Sequence, residues 1–235
     1  MLPVAILAGG LATRLGSLTE KLPKALVSVA GEPFVVRQLR LLQKSGISHV
    51  ILCVGHMGEM VERAIGDGRK FGLRVEYSYD GAALLGTAGA IRSALPKLGP
   101  YFFVMYGDSY LACDYAAIER ALFQSGKLAL MTVFCNQGQW DASNVEFEDG
   151  NILAYSKKDC TSRMRFIDYG LGVFRAEAFQ ATQPSDMADV YVDLLQKHEL
   201  AGMEVHQRFY EIGSPAGLQE LESLLGAREK GGSRK

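Results

Sequence analysis

The chain has no apolar run long enough to span a bilayer: nothing in its 235 residues approaches the roughly 18 that such a helix needs. Its first ten residues, MLPVAILAGG, lack the basic start and the length of a secretory signal, so the cytoplasm is the expected location. Neither sign of charge is in excess, with 25 Lys and Arg against 26 Asp and Glu. Such a chain has no broad field for a polyanion, which argues against nucleic-acid and membrane partners but leaves room for a small phosphorylated ligand held by a local cluster. Cysteine is sparse. Cys53, Cys113, Cys135 and Cys160 lie far apart, form no C-x-x-C pair and have no His at ligand spacing, so they read as reduced, mostly buried thiols. Two phosphate signatures are also missing. Without G-x-x-x-x-G-K-[ST] there is no Walker A loop, and without G-x-G-x-x-G a nicotinamide or flavin fold is disfavoured.

What the chain has is apolar mass, 48% of its residues, and 26 glycines, about 11% against an average near 7%. Residues 3–8, PVAILA, form a buried-strand pattern that breaks into a glycine-rich loop. A helix is predicted from Pro33 through Val35, Leu39 and Leu42 to Gly46. A strand at 49–54, a helix at 57–65, a strand at 73–79, a helix at 87–95 and a strand at 101–106 follow. Continuous apolar strands alternating with helices predict a parallel sheet covered on both faces, with ligands bound beyond the carboxyl ends of its strands. The loops at 9–24, 80–87 and 107–109 all follow strands and are expected to meet in one crevice. The second half reads as a helix near 115–125, a strand at 128–135 and a hairpin at 145–156 turned at Asp149-Gly150. A strand at 165–174, a helix at 186–198, a strand at 203–212 and a last helix from Ser214-Pro215 to Gly226 complete it. No repeat or linker divides the chain, so one domain is expected over 1–226, with a frayed tail at 227–235.

Three loops hold residues suited to phosphate chemistry. After Leu7 and Ala8, the small residues Gly9 and Gly10 let backbone N–H groups approach an anion, and Arg14 and Lys24 add charge; a tight turn with solvated Arg and Lys would explain the glycines alone. In the second, Leu84-Leu85-Gly86-Thr87-Ala88-Gly89-Ala90, a helix start lined with small residues offers donors and a flat floor for a planar ring; a Thr87 cap with small residues packed on the sheet would serve equally. Asp80 stands just before it. Guanine presents adjacent N1–H and N2–H₂ donors that one carboxylate can accept together, so an acid here leans towards guanine, unless it is an exposed turn residue. In the third loop Asp108 ends an apolar strand in Met105-Tyr106-Gly107-Asp108-Ser109, well placed to hold Mg²⁺ between phosphate oxygens, or to cap the next turn.

The segment AILAGGLATRLGSLTEKLPKAL resembles the signature of the sugar-1-phosphate nucleotidyltransferases, written G-G-x-G-T-R-L, then L-T and P-K. Similarity extends over roughly residues 2–225. It implies a Rossmann-like three-layer α/β/α mixed sheet of the nucleotide-diphospho-sugar transferase type, with a nucleotide-binding half at 1–112 and a sugar-phosphate half at 113–226. With no residues after 235, no C-terminal β-helix is expected. By position the resemblance makes Arg14 and Lys24 catalytic, binds the nucleotide through Leu7, Ala8, Gly9, Gly10, Asp80, Gly86, Thr87 and Ala88, and gives Asp108 a Mg²⁺. Ala12 stands where the family has a third glycine. The family's second metal aspartate falls on Glu211 in Phe209-Tyr210-Glu211-Ile212-Gly213-Ser214-Pro215, one methylene longer.

For the acceptor, Gly150-Asn151-Ile152 through Ser156-Lys157-Lys158 resembles G-x-I-x-x-[FY]-x-E-K. Lys158 matches the lysine that contacts the sugar phosphate, and Lys157 replaces the glutamate; the pair could equally be a solvated strand end. Asp168 and Gly170 occupy the place of N-A-G, and Asn144 lies near a position that faces the sugar. The altered set points away from a glucose-type acceptor. The small guanylyltransferases that act on D-glycero-D-manno-heptose 1-phosphate are most similar, implying GTP and that sugar, or mannose 1-phosphate, in nucleotide-sugar and polysaccharide biosynthesis. A uridylyl- or thymidylyltransferase on another sugar 1-phosphate, and a non-catalytic nucleotide-sugar-binding regulatory homologue, are the alternatives. Gly107-Asp108-Ser109-Tyr110 lacks the second acid of an Asp-x-Asp glycosyltransferase. The histidines and Trp140 read as structural, and a homo-oligomer is compatible with the sequence.

Overall fold

The computed structural model describes residues 1–10, 22–180 and 185–232. Its strands are β1 (Val4–Leu7), β2 (Ser28–Val29), β3 (Glu32–Pro33), β4 (His49–Val54), β5 (Arg74–Tyr79), β6 (Tyr101–Tyr106) and β7 (Ser109–Tyr110) in the first half. In the second half come β8 (Ala129–Cys135), β9 (Val145–Glu148), β10 (Asn151–Tyr155), β11 (Phe166–Arg175), β12 (Leu200–Glu204) and β13 (Tyr210–Glu211). The helices are α1 (Phe34–Lys44), α2 (Gly58–Ile65), α3 (Gly86–Leu98), α4 (Tyr115–Ser125), α5 (Met187–Gln196) and α6 (Pro215–Gly232).

Nine strands form one sheet in the order β5-β4-β1-β6-β11-β8-β12-β10-β9. The first four are parallel, as their continuous apolar runs predict. β11 then runs antiparallel to both β6 and β8, so the sheet is mixed and both halves of the chain share it. Alternating side chains feed two cores. Val4 and Ile6 point to the face covered by α1, α2 and α4, while Ala5, Ile51 and Phe102 point to the face covered by α3 and α5. The three-layer expectation is met. Val35, Leu39 and Leu42 form the buried stripe of α1. Asp114 caps α4 by accepting from Ala117 N at 2.9 Å, and Gly126, at φ 67°, ends it. Among the described residues no helix is long and apolar enough to cross a membrane.

Two elements differ from expectation. The strand predicted over 203–212 is two pieces: β12 pairs with β8 in the main sheet, whereas β13 leaves it and pairs with β7, Glu211 opposite Ser109. α6 does not stop at Gly226 but runs on to Gly232, because Gly226 has a helical backbone rather than the left-handed one that ends a helix. A third, small core of Val29, Phe34, Tyr110, Ile212, Leu221 and Leu225 fastens α6 and the two-stranded pairs to α1.

Two glycines are expected to respond oppositely to alanine. At Gly107 a Cβ would lie 2.3 Å from Leu7 O, so Gly107→Ala should cost about 2–3 kcal/mol. At Gly226 nothing lies within 4 Å, so Gly226→Ala should add about 0.5–1 kcal/mol by removing backbone freedom from the unfolded chain. Urea denaturation of both variants checks the two signs.

Candidate active site

The three expected loops meet. Beyond the carboxyl ends of β1, β4 and β6 lies a cleft of about 220 Å³. Leu7, Ala8, Gly9 and Gly10 line it from the first loop, Asp80, Gly86 and Thr87 from the second, and Gly107 and Asp108 from the third. Parallel strands that end at one level put their loops side by side. Gly107 N–H donates to Leu7 O at 3.1 Å, which brings the first and third loops into backbone contact.

Lys24 and Asp108 face each other across this cleft. Lys24 opens a 3-10 turn, Lys24–Leu26, and its Nζ lies 2.9 Å from Asp108 Oδ2. Ser109 Oγ donates to the other oxygen, Oδ1, at 3.3 Å. The side chains are 15% and 31% exposed, so a charged pair sits at the cleft wall while remaining open to an incoming ligand. Arg14 and Ala12 lie outside the described residues.

At the second loop, Asp80 is half-buried; its main-chain N–H donates to Val54 O at 3.0 Å. Burial pushes its carboxyl group up, and a hydrogen bond from the Leu85 N–H partly offsets this. Gly9 and Gly55 close round it: a Cβ at Gly55 would stand 2.9 Å from Gly9 O and 3.1 Å from Asp80 Oδ2. Gly86 takes φ +74° and has Ser185 O where a Cβ would go. Thr87 does not cap its own helix. Its Oγ1 accepts from Met187 N at 2.8 Å, and Ala88 N–H donates to Ser185 O at 3.0 Å. Ala88 is fully buried in the core, so it supports the cleft floor from beneath and does not line it.

Of the residues expected at the acceptor, Asn144, Asp168 and Gly170 gather at a distortion of β11. Its register with β8 shifts between Asp168 and Gly172, and Gly170, at φ +90°, lies close against Ser109 and Tyr106, where a Cβ would stand 3.2 Å from Ser109 Oγ. Asn144 Oδ1 accepts from Asp168 N at 2.9 Å, and Asp168 Oδ1 accepts from Gly170 N at 3.0 Å, so the three residues form one unit. Burial pushes the Asp168 carboxyl up, against the Gly170 N–H and the charge of Lys157. Lys157 is the lysine at the cleft: its Nζ lies 3.4 Å from Tyr106 OH and 5.2 Å from the ring centroid. Lys158 is exposed, and its main-chain N–H donates to Ser156 Oγ at 3.2 Å.

Glu211 reaches the site through its backbone. Ile212 N–H donates to Asp108 O at 2.9 Å, next to the β13–β7 pair. Its carboxylate accepts from Gly213 N and, at 2.6 Å, from Ser214 Oγ, and Ser214 Oγ in turn accepts from Gly217 N at 3.0 Å in the first turn of α6. Among the described residues no group of three or more His, Cys, Asp or Glu side chains is gathered. The oxygens of Asp108 suit a hard cation such as Mg²⁺, which is commonly held by one or two carboxylates together with phosphate oxygens, and Oδ2 is paired with Lys24 Nζ.

Cys53, a strand residue of ordinary type, lines the cleft without a signal in the sequence, and Leu84 and Tyr106 line it as members of the second and third motifs. The thiols are less hidden than expected: Cys53 is buried, Cys113 and Cys135 are half-buried and Cys160 is exposed. His49 is paired with Glu76 at 2.7 Å, and Trp140 stacks on the Arg208 guanidinium at 3.4 Å, both structural contacts.

The nucleotidyl transferase family model matches residues 4–209. N-acetylmuramate alpha-1-phosphate uridylyltransferase of Neisseria meningitidis serogroup B is 29% identical over 94% of this chain and 97% of its own length. D-glycero-alpha-D-manno-heptose 1-phosphate guanylyltransferase of Aneurinibacillus thermoaerophilus is 30% identical, over 94% and 96%. The mannose-1-phosphate guanylyltransferase catalytic subunit beta of Xenopus tropicalis is 30% identical over 89% of this chain, which spans 61% of that longer protein. Among solved structures, HddC from Yersinia pseudotuberculosis complexed with GMP-PN superposes with a TM-score of 0.81 at 22% identity, covering 96% of this chain and 100% of that one. The fold is thus the one these neighbours share, and with the glycine-floored cleft and the family match over most of its length, the chain belongs to the nucleotidyl transferase family.

Proposed function

We propose that the chain joins a sugar 1-phosphate to GTP, giving a GDP-sugar and pyrophosphate, with D-glycero-D-manno-heptose 1-phosphate, or mannose 1-phosphate, as acceptor. The observation that bears most weight is the Lys24–Asp108 pair, 2.9 Å apart over a floor of backbone and glycine. An oxygen of the sugar phosphate attacks the α-phosphorus in line, and the bond to the β-phosphate breaks. The attacking phosphate is already ionised, so no general base is needed. Catalysis is then positioning and charge neutralisation. Lys24 supplies a fixed cation and Arg14, by its place in the motif, a second; the first-loop backbone approaches the phosphates; Asn144, Asp168, Gly170 and Lys158 face the acceptor, and Lys157 adds a cation at Tyr106. Asp108 would hold Mg²⁺, joined by Glu211 once its carboxylate is free of Ser214. Bound there, the ion would neutralise phosphate charge.

Asp80 supports the choice of base. Its carboxylate, set between Gly9 and Gly55 at the cleft wall, can accept both N–H donors of guanine, whereas uracil and thymine offer one. Relatives that use GTP, such as the heptose and mannose enzymes, agree with this, while the uridylyltransferase relative shows that the scaffold accepts other bases. The hydrogen-bonded state of Glu211 favours a second reading, a regulatory protein that binds the nucleotide sugar without turnover.

Pyrophosphate release from the four common triphosphates and a panel of sugar 1-phosphates is the direct assay. Release with GTP and a manno-configured acceptor is expected. Release only with UTP or dTTP would move the assignment to the alternative class, and tight GDP-sugar binding with no release from any pair would favour the regulatory reading. Lys24→Ala and Asp108→Asn should each lower kcat by about 10²–10³-fold with circular dichroism unchanged. Asp80→Asn should cut kcat/KM for GTP by about 10–100-fold while sparing UTP. Because burial raises the Asp80 carboxyl, the wild-type preference for GTP should fade on acidification at a higher pH than an ordinary carboxylate would titrate.

A further inference from the structure

Helix α1 buries one polar side chain in its apolar stripe. Gln38 is 1% exposed, on the face that also buries Phe34, Val35 and Leu42. Its Nε2–H donates to the carbonyl oxygen of Ser109 at 2.8 Å, and its Oε1 has no partner among the described residues. The amide cannot be reversed, since that would set two oxygens against each other. A buried amide with one end unpaired is unfavourable, and methionine would fill the same length without that penalty. Stability alone therefore does not account for glutamine here.

What the amide holds does. Ser109 follows Asp108, its hydroxyl donates to Asp108 Oδ1 at 3.3 Å, and its backbone pairs with Glu211. On its other side α1 fixes the segment that bears Lys24: Phe34 N–H donates to Val27 O at 2.9 Å, Arg37 Nε donates to Val29 O at 3.2 Å, and the helix packs on the turn Lys24–Leu26. One rigid helix thus touches the supports of both members of the Lys24–Asp108 pair, and Gln38 is its only buried polar grip on the Asp108 side among the described hydrogen bonds.

We propose that Gln38 is a positioning residue, whose hydrogen bond to Ser109 O sets the Asp108 carboxylate at its working distance from Lys24. The proposal rests on the reading of Asp108 as the metal-holding acid. Its test uses the purified full chain with Mn²⁺ as probe, free ion read by electron paramagnetic resonance in the absence of nucleotide. Steady-state kinetics in Mg²⁺ and urea denaturation accompany it, on wild type, Gln38→Met, Gln38→Leu and Asp108→Asn. Gln38→Met should be at least as stable as wild type, yet bind Mn²⁺ about 5–10-fold more weakly and show a matching rise in the KM for Mg²⁺, with the KM for the sugar 1-phosphate unchanged. Gln38→Leu should show the same split if the methionine variant does not fold. Wild-type Mn²⁺ affinity and KM for Mg²⁺ in both Gln38 variants, beside lost Mn²⁺ binding in Asp108→Asn, would overturn the positioning role alone. Undiminished Mn²⁺ binding in Asp108→Asn would overturn the reading of Asp108 and the proposal with it.

Discussion

The site depends on how closely two neighbouring parallel strands end. Gly107 leaves β6 with its N–H on Leu7 O, and no atom larger than hydrogen fits between its Cα and that carbonyl. This contact fuses the loop after β1 with the loop after β6. The backbone of the first and the carboxylate of the second then line one cleft, where Asp108 pairs with Lys24 at 2.9 Å. The charge balance of the whole chain is near zero, yet the cleft concentrates opposite charges within a few residues, which is what a small polyphosphate requires and a polymer does not.

The second half supplies a different kind of surface. Inserting β11 antiparallel beside β6 brings a strand into the sheet centre whose middle can bulge without disturbing the parallel ends. Gly170 at φ +90° turns the backbone there, and Asn144, Asp168 and the Gly170 N–H become mutually bonded. A rigid polar unit results, whose buried carboxyl faces the ammonium of Lys157. The cleft beside β1 and β6 is therefore lined mostly by backbone and glycine, while the β11 side is built of polar groups that hold one another in place.

The parallel half of the fold was legible because buried strands have continuous apolar runs and helices show a 3.6-residue stripe, and the convergence of three loops followed from strand direction alone. The glycine-lined cleft was legible for a related reason: small residues after strands are rare without cause. Partner choice was not. Residues 203–212 look like one strand, and only tertiary pairing sends Tyr210 and Glu211 to β7 rather than β8. The glycine at 226 reads as a terminator, although its conformation is set by the packing of Leu221 and Leu225. Between Lys157 and Lys158, adjacent in sequence, the way the chain leaves β10 decides which ammonium meets Tyr106. Glu211 carries the carboxylate that the motif predicts, but the turn that follows it, through Gly213 N–H and Ser214 Oγ, competes for its oxygens. Gly55, Cys53 and Gln38 are ordinary residues in sequence and take meaning only from what folds against them.

The bonds between the starts of α3 and α5 have a consequence for how such a chain can change over generations. Ala88 N–H reaches Ser185 O, Met187 N–H reaches Thr87 Oγ1, and Gly86 leaves no space between them. Two segments nearly a hundred residues apart thus lock like the teeth of a clasp. An insertion or deletion at either one shifts donors and acceptors out of step at both, so lengths there must vary together or not at all.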